Sequence, residues 1–472
     1  MGNTTTASVT GAQVAPAKSA IKDLPIAKVW AFAVGQFGWA LLSGIISNWL
    51  VYFYQPDQEA ISQGQTVFVP QGLVVLGIVT VVGGITAFAR FFDAFVDPAV
   101  ASLSDRCDAK SGRRMPFLKF AALPLAVVTV LVFWSPINGT SWVNAAFLFV
   151  TVIDYYIALT FYCTPYNALI AELGHDSKQQ LTISTAISFT WVAGTAIAYV
   201  APVIWGAFVP MMGRITAIRV TFTIMAAVAF VCMLVPPLAI REKDYVNSHP
   251  TSESTIESLK QTFGDGEFRK FVCSDVVYWV AITTFQTGLP FFVTSLLKLP
   301  ETTTTIYFVL MTGVSVLFYL PVNILANKVG KKRLLLVAFV IFTCAFAFAG
   351  ALGSAVLGFI PAMAQGLVLS VVGAIPMAAF GILPQAIVAN IADASSKTTG
   401  QDRQGMFYAA RTFAMKMGQS VAMLLFTGVS TIGMASGAGY RIAAVCAAVL
   451  CGLGGIVFAF YNEKKVLGVL AT

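Results

Sequence analysis

Apolar runs long enough to cross a lipid bilayer recur along almost the whole of this 472-residue chain. A spanning α-helix needs about 20 consecutive, mostly apolar residues, and the stretch 72–89, GLVVLGIVTVVGGITAFA, contains no charged residue. Only 11% of the residues are charged, against roughly 25% in soluble domains, and the mean hydropathy is +0.80. The pattern predicts an all-α integral membrane protein that forms one polytopic unit, and it argues against a soluble enzyme with an anchor.

The apolar runs predict twelve transmembrane helices in two six-helix halves. The predicted spans are 26–54, 72–104, 117–134, 143–171, 181–205, 217–240, 271–297, 306–326, 334–353, 360–391, 404–431 and 440–460. The central hydrophilic segment indicates a linker between the halves. We therefore predict five segments, namely a disordered cytoplasmic N-terminus (1–25), an N-terminal half (26–240), a cytoplasmic linker (241–270), a C-terminal half (271–461) and a cytoplasmic tail (462–472).

The distribution of basic residues predicts the orientation in the membrane. An even number of spans places both termini on one side, and that side collects most of the Lys and Arg residues. The loops of the other side contain only Arg214, Arg219, Lys298 and Arg441. Because cytoplasmic loops carry an excess of Lys and Arg, we predict a multi-pass protein of the cell membrane with both termini in the cytoplasm. The net charge of +8 then reflects topology, and we expect no nucleic-acid partner.

The seven cysteines are scattered singly, without a CxxC pair or a nearby histidine cluster. Such cysteines are typical of small apolar packing residues. We therefore predict no metal site, no disulfide and no cofactor other than a transported ion.

Three charges interrupt the second predicted helix. At about 100° per residue, Arg90, Asp93 and Asp97 lie at roughly 0°, −60° and −20° on one narrow face. A charge inside the bilayer is costly, so such residues normally face a protein interior or a water cavity and pair with each other. Two carboxylates one turn apart, with an arginine nearby, indicate a cation or proton site.

A short basic loop occurs twice. SDRCDAKSGRRMPF follows the second predicted helix, and ANKVGKKRLLL follows the eighth, which is the second helix of the second half. This internal repeat supports two parallel halves, an arrangement that alternating-access transporters use with the solute site between the halves. We expect the loop residues to anchor the loops and to form a cytoplasmic gate that stabilises the outward-facing state. The gate residues are Asp105, Arg106, Arg113 and Arg114.

Together these motifs resemble those of a known family. The loop residues with Gly112 resemble the signature of the major facilitator superfamily, and RxxDAxxDP at 90–98 resembles that of the glycoside-pentoside-hexuronide:cation symporters, the melibiose permease family. Further matches follow in the family's order: YFY at 52–54, PYNALIAELGHD at 165–176, ANIAD at 389–393 and KTTGQDRQGMFY at 397–408. The resemblance implies the major facilitator fold and secondary active transport.

The resemblance also implies a set of ion-site residues. It assigns cation binding to Asp93, Asp97 and Thr160, with Arg90 and Lys416 as charge partners. Where sodium-using members have an asparagine between the carboxylates, this chain has Val96, which offers no oxygen ligand. Sodium needs several oxygens, whereas a proton needs one carboxylate, so the coupling ion is predicted to be H+ rather than Na+.

The sugar-binding positions of the family are not kept. Its first-helix aspartate corresponds to Ala40, its fourth-helix aspartate to Cys163 and its fifth-helix arginine to Ala186. Aromatic and amide side chains in the same and neighbouring helices are the remaining candidates for a carbohydrate pocket, although membrane aromatics also serve as packing residues. The candidate pocket residues are Trp39, Tyr162, Tyr166, Asn167 and Gln286.

Structural alternatives stay open for each ion-site residue. Asp93 and Asp97 could form an ion pair that only holds helices together, and Thr160 could bond its own helix backbone. Lys416 could snorkel to the membrane surface. Asp154, in the fourth predicted helix, receives no role.

The resemblance thus implies a cation-coupled symporter of a sugar, glycoside or uronide that acts as a monomer, as is usual in the family, with the lipid bilayer as its other partner. The first alternative is a lipid or amphiphile carrier on the same fold, because the sugar-binding charges are missing. A non-transporting membrane sensor is the alternative from another class, and the retained titratable pair argues against it. No catalytic constellation is present, so we do not expect an enzyme.

Overall fold

The computed structural model describes residues 23–75, 77, 79–107, 109, 111–174, 177–246, 261–399, 404–433 and 436–471. The predicted N-terminal segment 1–25 lies almost wholly outside these residues, as does the middle of the predicted linker, 247–260.

The described residues form twelve long α-helices, which we number in chain order. The first six are α1 (Ile26–Tyr54), α2 (Val81–Asp105), α3 (Met115–Val132), α4 (Trp142–Leu173), α5 (Ser177–Met212) and α6 (Arg214–Ala239). The second six are α7 (Gly266–Phe291), α8 (Thr302–Val329), α9 (Lys331–Ala351), α10 (Ala362–Thr399), α11 (Gln404–Val429) and α12 (Ala438–Ala459). A π-helical turn, Phe292–Leu296, continues α7.

Ten of these described helices are long and apolar enough to cross a membrane. The two that fall short are α2 and α11, because α2 carries Asp93 and Asp97 in mid-helix and α11 carries Arg411 and Lys416. The two helices pack against each other, so each shields the charges of the other from lipid.

Each half packs mainly within itself. In the first half α1 contacts α5 and α6, and α4 contacts α2 and α3; in the second half α7 contacts α11 and α12, and α10 contacts α8 and α9. The main contacts between halves join α2 to α11, α5 to α8 and α1 to α7. The second helix of the first half contacts the fifth helix of the second half (α2 and α11). The second helix of the second half contacts the fifth helix of the first half (α8 and α5) in the same way, as two parallel repeats require. The predicted arrangement of two six-helix halves is confirmed.

An even number of spans places the start of α1 and the end of α12 on the same face, which we call the terminal face. The other side is the opposite face. The depth of a residue below either face can therefore be estimated from its position in its helix, at about 1.5 Å per residue.

The second helix begins nine residues later than predicted. We expected a helix from Gly72, but α2 starts at Val81, where the Thr80 hydroxyl accepts a hydrogen bond from Gly83 N at 3.0 Å. Gly72 and Gly77 have positive φ values of 83° and 71°, and Val75 pairs with Val79 in an isolated β-bridge. The apolar run is therefore partly a turn, because glycine tolerates the left-handed backbone that a helix excludes.

Other boundaries also differ. Helices α5 and α10 extend further than predicted, to Ser177–Met212 and Ala362–Thr399. Two short helices, Gln58–Ser62 and Glu463–Ala471, were not predicted. The second of them packs against α10, so part of the predicted tail belongs to the folded unit.

Candidate functional site

The predicted ion-site residues of α2 and α4 meet in the interior. Thr160 donates a hydrogen bond to Asp93 Oδ1 at 2.5 Å and a longer one to Asp97 Oδ1 at 3.2 Å. Thr164, one turn further along α4, also donates to Asp97 Oδ1, at 3.3 Å. Sequence reasoning missed Thr164, although its spacing of four residues from Thr160 puts it on the same helix face. The two hydroxyls line one side of the carboxylate pair.

Lys416 reaches the same carboxylates from the other half of the molecule. Its Nζ atom lies 2.7 Å from Asp93 Oδ2 and 2.6 Å from Asp97 Oδ2. The side chain of Asp93 is 2% exposed, that of Asp97 26% and that of Lys416 14%. One ammonium group therefore bridges two carboxylates in a largely buried position, and it does not extend toward the membrane surface in this structure.

Arg90 is engaged elsewhere. Its Nη1 donates to Gln419 Oε1 at 2.6 Å and its Nη2 to Ser47 Oγ at 3.2 Å. Its guanidinium lies over the ring of Tyr156, 5.1 Å from the centroid. Arg90 thus ties α2 to α1 and α11 through neutral groups. The two carboxylates share Lys416 as their direct cationic partner within the described residues.

The cluster offers oxygen ligands besides the carboxylates. Val96 supplies none, as the sequence indicated, but Pro98 lies inside α2. A helical proline has no N–H for the carbonyl four residues earlier, so the Ala94 carbonyl beside Asp93 is freed from its usual helical donor. The cluster itself presents the two carboxylates and the hydroxyls of Thr160 and Thr164. The described residues contain no group of three or more His, Cys, Asp or Glu side chains that could hold a metal ion.

A second ionic cluster joins the halves near the opposite face, and we call it the outer clamp. Arg214 at the start of α6 makes a bidentate pair with Glu301 just before α8, with Nη2–Oε2 at 2.7 Å and Nη1–Oε1 at 3.1 Å. Glu301 also accepts hydrogen bonds from Tyr52 at 3.0 Å and from Trp205 Nε1 at 2.5 Å. Gln65 accepts from Arg214 Nε at 3.2 Å. The side chains of the pair are only 4% and 10% exposed.

Neighbouring hydrogen bonds extend the closure of the opposite face. Asp57, 1% exposed, caps the short helix after α1 through Ala60 N at 2.8 Å and accepts from Thr294 at 2.6 Å and from Ser295. Gln55 donates to the Thr427 carbonyl of α11 at 3.0 Å. The first-half loop after α1 is therefore fastened to the second half by both charged and neutral groups.

Two of the four gate residues at the terminal face, Arg113 and Arg114, bond to acidic residues of their own half. Arg113 and Arg114 both pair with Glu172, at 2.7 and 2.6 Å, and Glu242 accepts from the backbone N–H groups of residues 113, 114 and 115. Arg106 is exposed, and the side chain of Asp105 lies outside the described part of the chain. In this conformation the arginine pair holds the first half together.

The second half repeats this arrangement. Glu463, just after α12, accepts from the N–H groups of Lys331 and Lys332 at 3.0 and 3.2 Å, as Glu242 does just after α6. Gly112 and Gly330 precede the two basic pairs with φ values of 125° and 96°. A Cβ on Gly112 would clash with Glu242 at 2.3 Å. The loop repeat in the sequence therefore corresponds to a repeated helix-capping device.

The candidate pocket residues separate into two groups. Tyr162 and Tyr166 are fully buried, and their hydroxyls donate to the carbonyls of Met233 and Phe32 at 2.9 and 2.7 Å. Contrary to their predicted role, they offer no surface to a solute in this conformation, because their rings pack the interior of the first half. Asn167 is exposed, and Trp39 and Gln286 are partly exposed.

Other charged residues also have defined places. Asp275 forms a buried bidentate pair with Arg411, at 2.9 and 3.1 Å. Asp154 is exposed on the face of α4 that carries the exposed residues Val143 and Val150. It does not belong to the Asp93 cluster.

Comparison with known proteins decides the family. The family model described as MFS/sugar transport protein matches residues 31–462, which is nearly the entire described chain. The chain belongs to the MFS/sugar transport protein family. The family consists of transporters rather than enzymes, and the predicted resemblance to glycoside symporters of the major facilitator superfamily is confirmed.

Two curated relatives have low sequence identity to this chain. The inner membrane symporter YicJ of Escherichia coli (strain K12) is 25% identical over 226 residues, 47% of this chain and 47% of the relative. The isoprimeverose transporter of Lactiplantibacillus pentosus is 23% identical over 175 residues, 37% of this chain and 33% of the relative. The matched stretches thus span less than half of each relative. A crystal structure of the nucleoside transporter NupG has a TM-score of 0.66 at 12% identity, covering 93% of this chain and 100% of that one, which supports the fold.

Proposed function

We propose that this protein is a secondary active transporter that couples the movement of a cation to the uptake of a sugar, glycoside or uronide by alternating access. The observation that carries the proposal is the bridge from Lys416 to Asp93 and Asp97, at 2.7 and 2.6 Å, across the two halves. A buried pair of carboxylates that depends on one ammonium from the other half changes its net charge when the halves separate. The family and its sugar-transporting relatives support the solute class.

The conformation fits one stage of the transport cycle. Among the described residues, the hydrogen bonds between the halves lie at the depth of Asp97 or nearer the opposite face, as in the Tyr52–Glu301 and Gln55–Thr427 contacts. The arginine pair at the terminal face bonds within its own half. With the terminal face as the cytoplasmic side of the cell membrane, on the basis of its Lys and Arg excess, this is an inward-facing state.

Lys416 links the charge of the site to the motion. In the inward-facing state its ammonium occupies the position between the carboxylates that a cation would take, so it favours release of the coupling ion to the cytoplasm. When the halves rock and the outer clamp opens, α11 moves relative to α2 and withdraws Lys416. The two carboxylates then have uncompensated negative charge and bind a cation from outside. Neutralising them permits closure again, which makes cation and solute binding mutually favourable.

We propose a proton as the coupling ion, because Val96 occupies the position of the family's asparagine ligand. Protonation of one carboxyl leaves a single negative charge, which Lys416 balances when the halves close again, and the Thr160 hydroxyl can reorient toward the remaining carboxylate. All residues of the site come from one chain, so a monomer suffices for the cycle.

The test is uptake into proteoliposomes under an imposed proton or sodium gradient, with a panel of labelled sugars, glycosides, uronides and lysolipids. We expect the proton gradient to drive accumulation of one carbohydrate in the wild type. Asp97→Asn should abolish accumulation while leaving the protein folded. Asp154→Asn removes a carboxylate from the same membrane region but outside the cluster, so it should accumulate solute as the wild type does.

Three results would contradict the proposal. Accumulation by Asp97→Asn at the wild-type level would remove the site from the coupling mechanism. Strong stimulation by sodium at fixed pH, without an effect of the proton gradient, would replace the proton. Transport of a lysolipid instead of any carbohydrate would overturn the solute class while preserving the fold.

A further inference from the structure

Asp154 lies on the outer surface of α4. It belongs to a line of exposed residues that we call the Asp154 stripe, which consists of Val143, Ala146, Val150 and Asp154. At about 100° per residue, the stripe covers roughly 80° of the helix. Thr160, which contacts the ion-site carboxylates, lies about 120° from Asp154 in one direction, and the buried Tyr162 lies about 80° away in the other. Asp154 therefore points away from both the ion site and the interior of the first half.

The position of Asp154 along α4 is close to the middle of the bilayer. Trp142, the first residue of α4, is 60% exposed, and tryptophan is enriched at membrane–water interfaces. Asp154 follows three and a third helical turns later, which places it about 18 Å deeper. Because the hydrocarbon core is about 30 Å thick, this depth is within a few ångströms of its midplane.

The surface around Asp154 is apolar. Helix α4 packs against α2 and α3, and these helices expose Phe92 and Leu123, with 36% and 53% of each side chain accessible. Both residues lie at about 14–17 Å from the opposite face, by their positions in their helices. Among the described residues, Asp154 has no hydrogen-bond or ion-pair partner. An ionisable group inside the bilayer is costly unless it is paired, so a partner from outside this chain is needed.

A second copy of the chain supplies a partner at the correct depth. Two copies in one membrane have the same orientation, so a two-fold axis between them runs along the membrane normal. Each residue then meets its own counterpart at the same depth. In hydrocarbon a carboxyl is much less costly in its protonated form, and a protonated carboxyl is both a donor and an acceptor. Two Asp154 carboxyls can therefore exchange hydrogen bonds, each O–H donating to the carbonyl oxygen of the other.

The rest of the stripe also suits contact between two helices. Ala146 and Val150 have short side chains, and small residues allow transmembrane helices to approach each other closely. Lipid does not offer an equivalent partner, because phospholipid headgroups lie at the surface, about 15 Å from the midplane. The acyl chains that reach Asp154 contain no hydrogen-bonding group there.

We propose that the protein forms a two-fold symmetric dimer in the membrane through the Asp154 stripe, with the two Asp154 carboxyls hydrogen-bonded to each other at the dimer axis. Hydrogen bonds between polar side chains of neighbouring transmembrane helices stabilise helix association. The ion site and the outer clamp each lie within one chain, so each protomer keeps its own transport machinery and the dimer does not depend on the proposed transport function.

The test is energy transfer between full-length copies that carry a donor or an acceptor fluorophore fused to the N-terminus, reconstituted together over a range of protein-to-lipid ratios. Asp154→Leu removes the hydrogen bonds and keeps the surface compatible with lipid, so it should fold. Asp154→Asn keeps both a donor and an acceptor. Val340→Leu is the matched control, because Val340 is 64% exposed on α9 of the second half, about 14 Å from the terminal face.

We expect the wild type and Val340→Leu to associate at the same protein-to-lipid ratio, with Asp154→Asn close to them. Asp154→Leu should need about tenfold more protein per lipid for half-maximal energy transfer. Energy transfer no greater than that of randomly distributed monomers in the wild type would overturn the dimer. Wild-type association of Asp154→Leu would overturn the role of the stripe, and equal weakening by Asp154→Asn and Asp154→Leu would overturn the hydrogen-bonded pair.

Discussion

The central ion site and the outer clamp are both ionic contacts between the two halves, yet their charges are balanced differently. In the clamp one guanidinium meets one carboxylate through two hydrogen bonds, at 2.7 and 3.1 Å, and Glu301 receives two further donors, from Tyr52 and Trp205. In the central site two carboxylates share one ammonium. The clamp is electrically complete, whereas the central site has one negative charge more than its direct cationic partner neutralises.

Because of this difference, the outer clamp can only hold the halves together, whereas the central site can exchange a cation with solution. A saturated, buried Arg–Glu pair has nothing to gain from a solution cation, so its contribution depends only on whether the halves are together. An under-compensated pair of carboxylates gains from any cation that enters. Under the proposed function, acidic and basic residues at the same interface therefore serve closure in one place and ion binding in the other.

Breaking the clamp should have the largest effect on conformation. Glu301→Gln keeps the side-chain shape but leaves Arg214 buried without a counter-charge, at a cost of about 3–5 kcal/mol. The closed opposite face should lose stability, which shifts the population toward the outward-facing state. We would measure labelling of Ser430→Cys by a membrane-impermeant maleimide from the outside, with Glu463→Gln as the control because Glu463 caps a helix within one half.

We expect faster labelling in the Glu301→Gln background and no change in the Glu463→Gln background. Equal labelling rates in both backgrounds would mean that the clamp does not hold the opposite face closed. The pair would then be a local packing feature of the α6 and α8 ends.

Removing a single hydroxyl from the central site should have a smaller, purely local effect. Thr164→Val deletes one hydrogen bond that stabilises the Asp97 carboxylate, worth about 1 kcal/mol, and should therefore strengthen proton binding about fivefold without altering outside labelling. Thr151→Val is the matched control, since the Thr151 hydroxyl of α4 bonds its own helix at Phe147 O, 2.9 Å away. Faster outside labelling in the Thr164→Val background, or an equal effect of Thr164→Val and Thr151→Val on cation affinity, would argue against a specific role for Thr164 in the ion site.

The comparison also shows what the sequence could reveal. The central acids were predictable because Arg90, Asp93 and Asp97 interrupt one apolar run, and helical spacing alone puts them on one face. A partner from the other half could be inferred for Lys416, because α11 offers no nearby acid. The hydrogen bonds of Arg90 to Gln419 and Ser47 could not be inferred, because uncharged partners cannot be recognised from the charge pattern of the sequence.

The clamp was not predicted because its residues look ordinary in sequence. Arg214 and Glu301 stand at the ends of helices, where charged residues are expected in any membrane protein, and they are 87 positions apart. Only the packing of α5, α6 and the loop before α8 buries them together. The prediction that Tyr162 and Tyr166 line the solute pocket failed for a related reason. Helical periodicity does not show which face of α4 lies toward the other half and which packs within its own half.

The late start of α2 has a different origin. Hydropathy treats residues 72–80 as part of a spanning helix, but the backbone there depends on two glycines with positive φ. Composition predicts an apolar, membrane-associated segment, whereas the turn within it depends on the backbone conformations that glycine permits.

The central claim is that Lys416 and the coupling cation compete for Asp93 and Asp97. Carbodiimide modifies protonated carboxyl groups, so the proton concentration for half-maximal modification of the purified protein reports proton binding, and protection by sodium reports sodium binding. Lys416→Gln should bind the coupling cation about tenfold or more tightly, because the competing ammonium is gone, while Lys416→Arg should stay close to the wild type. Unchanged or weaker cation binding in Lys416→Gln would contradict the competition on which the account depends.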